Sequence, residues 1–224
     1  VCRYIADAFH GNALKGYPNV DGVVPITHGT GCAVAEQSEG YEYLMNTVTG
    51  YARHPNFAGV LLVGLGCEVL QVDSVLKDGG FAKGPFFHSM TIQETGGIKA
   101  TLDKGVQLVK EMLPEVNRIE RQPLSTSHLM LGLQCGGSDG YSGITANPAL
   151  GFATDLLVRH GGTAVLGETP EIYGAEHLLT RRVISWEVGE KLLKHIRWWE
   201  EYTARNGGEM DNNPSPGNKA GAAS

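Results

Sequence analysis

GVLLVGLGCE, residues 59–68, holds a short apolar run closed by a glycine-rich polar turn. A run of this length bounded by glycine reads as a buried strand, because a buried helix would need more residues. The same unit recurs along the chain as an apolar run, then a glycine-rich turn, then an amphipathic segment. Residues 22–27 (GVVPIT) read as a strand before HGTGC, and residues 87–92 as one before QETGG. Residues 129–134 (LMLGLQ) precede CGGSDGYSG, and residues 163–166 precede GETPE. Helical spacing marks residues 2–9, 39–52, 98–112, 148–158, 174–182 and 185–205, with Pro114 expected to stop the third and residues 211–217 left as a loop.

Short buried strands alternating with helices predict an α/β fold. The expectation is a layered, mainly parallel sheet with Rossmann-like strand–turn–helix units in two packed subdomains. The polar stretch 117–127 carries Pro123 and marks the boundary, giving domains 1–122 and 123–224. In such sheets ligands bind beyond the carboxyl ends of the strands, which is where these turns lie.

Composition narrows the function. Glycine supplies 31 of 224 residues, about twice the usual share, without the every-third-residue period of collagen. Lys plus Arg total 18 against 24 Asp plus Glu, a net charge of −6, and the cations are scattered. No basic stripe suggests nucleic acid. No apolar run approaches the ~20 residues of a membrane span. The four cysteines, Cys2, Cys32, Cys67 and Cys135, form no CxxC pair and read as free thiols in a cytoplasmic protein. The chain begins Val1-Cys2-Arg3-Tyr4, with neither initiator Met nor signal-peptide pattern, and reads as an excised fragment.

The turns were weighed for three chemistries. Nucleotide binding is a weak reading, because neither HGTGC nor CGGSDGYSG matches GxxxxGK[ST] or GxGxxG. GxSxG is absent, which removes the common serine hydrolase signature. A metal centre is the second idea. His28 and Cys32 lie four apart, Cys67 and Cys135 end two other strands, and thiolate with imidazole suits Fe(II) or Zn(II). An iron–sulfur cluster is disfavoured because tight CxxCxxC runs are missing. Buried free Cys is also ordinary packing, so a single cysteine carries little weight. General acid–base chemistry is the third, with His28, His88, Glu68, Glu94, Asp139, Glu168 and Glu171 in or beside the turns. Such residues are also common turn formers, and Asp139 in particular suits a cap. Arg181 and Arg182 would pair a carboxylate or simply end a helix.

The turn motifs together resemble the altronate/galactarate dehydratase family of sugar-acid dehydratases, which includes the large subunit of sulfolactate sulfo-lyase. The matching segments are THGTGC (27–32), GLGCE (64–68), IQETGG (92–97), LGLQCGGSDGYSG (131–143), NPALG (147–151), ETPEIY (168–173), EHLLTRR (176–182) and NNPSPGNKAG (212–221). The resemblance implies dehydration of a sugar acid to a 2-keto-3-deoxy acid and dependence on Fe(II). It implies that the chain holds the family's second domain without its first strand, plus the front of its C-terminal domain. An N-terminal domain or separate small subunit, and more chain beyond, would complete it. A small sugar-acid substrate and a homo-oligomer are compatible with that reading. Strand-end position and residue chemistry then assign Fe(II) to some subset of His28, Cys32, Cys67 and Cys135. His28, Glu68, His88 and Asp139 are the candidates for proton transfer. Gln93, Ser138, Glu168, Arg181 and Arg182 are the candidates for holding substrate. The alternatives are a sulfolactate sulfo-lyase large subunit and a non-catalytic ligand-binding or assembly module.

Overall fold

A computed structural model describes residues 1–30, 32–211 and 214–221, and the backbone alone at 219–221. The chain divides into two compact units, Val1–Gln122 and Pro123–Ser224.

The first unit runs α1 (Cys2–Asp7), a 3-10 turn (Gly11–Leu14), α2 (Glu39–Ala52), β1 (Val60–Gly64), α3 (Val72–Asp78), β2 (Phe87–Thr91), α4 (Ile92–Thr95) and α5 (Ile98–Val116). β1 and β2 pair in parallel from Val60 opposite Phe87 to Gly64 opposite Thr91. Side chains alternate across a strand, and β1 uses both faces. Leu61 and Val63 pack with Ile5 of α1, with Phe9 just after it, and with Val109, Met112 and Leu113 of α5. Leu62 packs on the opposite side with Leu44, Leu70 and Val75, in the cluster of α2 and α3. Helices on both faces explain why residues 60–63 are apolar without alternation.

α5 is placed by its entry turn. Gly96 and Gly97 both have φ near +100°, at 99° and 97°, a conformation that L side chains rarely adopt. The fully buried Thr101 donates its hydroxyl to the Gly97 carbonyl at 2.8 Å. Thr101, Gly105, Val109 and Met112 then form the buried stripe.

The second unit begins with a 3-10 turn (Thr126–His128). It continues β3 (Met130–Leu133), α6 (Ala146–Arg159), β4 (Thr163–Leu166), another 3-10 turn (Thr169–Ile172), α7 (Glu176–Thr180), α8 (Trp186–Arg205) and α9 (Pro216–Gly221). β3 and β4 pair in parallel from Met130 opposite Thr163 to Leu133 opposite Leu166. The architecture is the expected mixed α/β with parallel pairing in each sheet. No described helix is long and apolar enough to cross a membrane.

Several boundaries depart from the sequence expectation. Residues 22–27 form no strand. Pro25 lacks the N–H that a ladder needs, and the segment instead lines an apolar cleft beside β1. Pro114 does not stop its helix, which runs to Val116. Lying in the last turn, it costs one backbone bond there, and Asn117 N–H still reaches the Leu113 carbonyl at 2.9 Å. α6 starts before Pro148, which sits in the first turn where its missing N–H has no intrahelical partner. The helix expected over 174–182 shortens to α7, and part of the expected 211–217 loop is taken by α9. Asn212, Asn213 and Gly31 of the recognised motifs lie outside the described residues.

Candidate active site

In the first unit the site is built from the loops after β1 and β2. The chain leaves β1 at Gly64, and Glu68 folds back over the turn. Its carboxylate accepts the Leu65 N–H at 2.9 Å and the Gly66 N–H at 2.6 Å. The Gln71 amide also closes the turn, donating to the Glu68 carbonyl. Gly66 has φ of 120°, and a Cβ there would meet Gln93 Oε1 at 2.5 Å. Glycine therefore lets Gln93 of α4 lie over this turn. Gln93 N–H in turn donates to the Leu65 carbonyl at 3.1 Å. The two strand ends are thus tied by backbone and by close approach.

Cys32 reaches the same turn from the loop before α2. The Cys67 thiol and the Glu68 carboxylate act on its thiol there. Local desolvation, then Cys67 and Glu68, raises the Cys32 thiol above its ordinary value. Both thiols are free and exposed. His28 lies apart from this pair in its contacts. Thr30 Oγ1 is 3.5 Å from His28 Nδ1, and His28 lines the apolar cleft of about 490 Å³ beside β1. His88 is the second residue of β2, at the amino end of the strand, whereas the turn carrying Gln93 follows its carboxyl end.

The second unit repeats the device with different residues. Glu168 follows β4 with φ of 56°, a left-handed conformation uncommon outside glycine. Its Oε2 accepts the Cys135 N–H at 2.9 Å, and its Oε1 lies 3.4 Å from the Gln134 amide. Cys135 Sγ lies 3.0 Å from Ser138 Oγ. Asp139 Oδ1 accepts the Tyr141 and Ser142 N–H groups, each at 2.7 Å, so its carboxylate shapes the turn. Arg181 and Arg182 are exposed at the end of α7, and neither forms an ion pair among the described residues.

Profiles of known families match nearly the whole chain. Residues 1–117 match the second domain of D-galactarate dehydratase/altronate hydrolase, and residues 126–223 match the C-terminal region of D-galactarate/altronate dehydratase. The chain belongs to the galactarate/altronate dehydratase family. It is 37% identical to altronate dehydratase of Bacillus subtilis (strain 168) over 207 residues, 91% of this chain and 40% of the relative. It is 38% identical to galactarate dehydratase (L-threo-forming) of Escherichia coli (strain K12) over 183 residues, 79% of this chain and 35% of the relative. The β subunit of (2R)-sulfolactate sulfo-lyase from Chromohalobacter salexigens shares 32% over 147 residues, 65% of this chain and 36% of that subunit. The chain thus spans at most 40% of the length of each of these relatives.

Among the donors assigned to a metal, the first unit joins Cys32 to Cys67. Two neighbouring thiols are a soft donor pair. His28 makes no contact with that pair, and Cys135 belongs to the other unit. Among the described residues no group of three or more His, Cys, Asp or Glu side chains is gathered as a metal ion would need. The structure thus brings together two of the four assigned donors, Cys32 and Cys67.

Residues that the sequence reading missed are Gln71, which closes the β1 turn, and Gln134, which reaches Glu168. A glutamine beside each loop glutamate or cysteine was the available signal. Lys83 and Lys104 were also missed. They line a pocket together with Gln93 although they are far apart in sequence, so no local motif marked them.

Proposed function

We propose that the protein is part of a hydro-lyase that dehydrates a sugar acid of the altronate or galactarate class to a 2-keto-3-deoxy acid. The observation that carries this reading is the ordered match of both domains to dehydratases of those acids. The strand-end loops, with their thiols, imidazole and carboxylates, supply suitable chemistry.

The α-proton of a carboxylate is weakly acidic. A base removes it, and the C–H electron pair forms an enediolate. Collapse of the enediolate expels hydroxide from the β-carbon, and an acid protonates that hydroxide to water. The enol then tautomerises to the keto acid, with net loss of one water. His28 is our candidate base, since Thr30 stands near Nδ1 and leaves Nε2 for substrate. Glu68, Asp139 and Glu168 hold backbone amides, so we assign them to positioning the loops. Cys32 and Cys67 are the thiols that would hold Fe(II), whose positive charge would stabilise an enediolate.

The β subunit of sulfolactate sulfo-lyase favours a second reading, in which the group leaving next to the enediolate is sulfite. One experiment separates them. The full-length protein is purified anaerobically, its metal measured, and keto-acid formation assayed from altronate, galactarate and sulfolactate. Keto acid from a sugar acid, lost on chelation and restored by Fe(II), is the expected result. Turnover of sulfolactate alone would select the second reading. Full activity without iron would remove Cys32 and Cys67 from a metal role.

A further inference from the structure

The first unit contains a polar cavity of about 360 Å³ against β2, lined by Lys83, Lys104, Ser89, Gln93, Asp73 and Glu94 among others. It lies at the low end of the size range of small-molecule sites. Its lining is unusual in two respects. Ser89 Oγ is buried without a hydrogen-bond partner, although Ser89 stands in the middle of β2. A buried hydroxyl left unpaired is disfavoured, and native structures rarely keep one without a reason. The lining also carries two cations and two carboxylates, yet none of these four is joined in an ion pair among the described residues.

We propose that this cavity binds the carboxylate and adjoining hydroxyls of a polyhydroxy acid. Lys83 and Lys104 hold the carboxylate, which an ammonium recognises as a charge-assisted acceptor. Asp73 and Glu94 accept from hydroxyls, and Ser89 and Gln93 complete the polar contacts. The mixed lining discriminates on both sides. A neutral polyol leaves two ammonium groups without an anion. An acid without hydroxyls, or a compact multiply charged anion, faces Asp73 and Glu94 without a donor to offer them. The cavity shares Gln93 and Gly66 with the loop cluster described above, so the ligand would reach that cluster from the β2 side.

The inference rests on the dehydratase reading only for the name of the acid, and its test can fail separately. Backbone amide shifts of the protein are followed by NMR during titration with galactarate and with galactitol, its neutral counterpart of equal carbon number. Galactarate should move the Ser89, Gln93 and Lys104 amides, and galactitol should not. The double variant Lys83→Ala/Lys104→Ala should weaken galactarate binding at least about tenfold, as expected for loss of a charge-assisted contact. Both lysines are exposed, so the variant should keep its fold, with Ser89→Ala as a second, smaller lesion. No shift at those amides, or equal shifts with galactitol, would overturn the proposal. In an active full-length enzyme the double variant should raise KM at least about tenfold, with little change in kcat. An unchanged KM there would overturn the pocket assignment and leave the dehydratase reading standing. A wild-type protein that makes no keto acid would end the dehydratase reading, and the NMR titration would still decide the pocket.

Discussion

Glu68 and Glu168 each follow a strand and turn their carboxylates to strand-end backbone, Glu68 accepting two amides and Glu168 one. Hydrogen bonds to a charged acceptor are each worth about 1.5–3 kcal/mol, at the lower end where water has access. Glu68→Ala should therefore free the Leu65 and Gly66 amides. Hydrogen exchange at these two sites should rise at least about tenfold while the α5 core stays protected. Unchanged exchange would mean that the turn is held by Gln71 and Gln93 without the carboxylate. The sequence marked both glutamates as polar groups in strand-end turns. It did not disclose their partners, because a turn's N–H directions depend on dihedrals such as the 120° φ of Gly66. For Glu168 the bonded amide belongs to Cys135, on a different strand end.

At the scale of elements, periodicity and punctuation carried most of the information. Residues 39–52 and 163–166 match α2 and β4 at both ends, and the helix expected over 185–205 is α8, with Ser185 as its cap instead of its first residue. The unit that failed, residues 22–27, has the apolar pattern of a strand. Pattern reports which residues can be buried, whereas pairing needs a free N–H and a partner edge, and Pro25 removes one donor. The cap can be tested directly. Ser185 Oγ accepts the Val188 N–H at 3.4 Å, and Ser185→Ala should cost about 1 kcal/mol, read from the urea midpoint at constant slope. Glu187 shares this terminus. Its carboxyl is held below the ordinary 4.5, first by a hydrogen bond with Ser185 and then by its own backbone amide. The sign follows from that depression. The unfolded chain binds this proton more readily, so the contribution is present above pH 4.5 and is lost as pH falls through the folded value. The stability difference between wild type and Ser185→Ala should therefore shrink on acidification. A difference that is constant from pH 7 to about 3, below the unperturbed glutamate range, would show that Glu187 does not use the cap.

At the scale of the molecule, burial is uneven. Much apolar exposure lies in the second unit, where Ile184 is 94%, Trp186 76% and Met130 69% accessible. α6 contributes no buried residue at all. Composition could not announce this, since the hydrophobic share of 42% says nothing about which side chains find partners. A protein comprising residues 123–224 should bind a hydrophobic dye such as ANS strongly and self-associate, and one comprising residues 1–122 should do so less. Equal dye binding by the two would mean that the second unit covers its apolar side chains in solution. Among the described residues each sheet is two strands wide, so each of these strands has one unpaired edge whose N–H and C=O groups can accept a further strand. A fold whose described strands are all terminal is open to stabilisation by whatever adds to them. Its melting temperature should accordingly climb with protein concentration, as mass action requires of a fold completed by association.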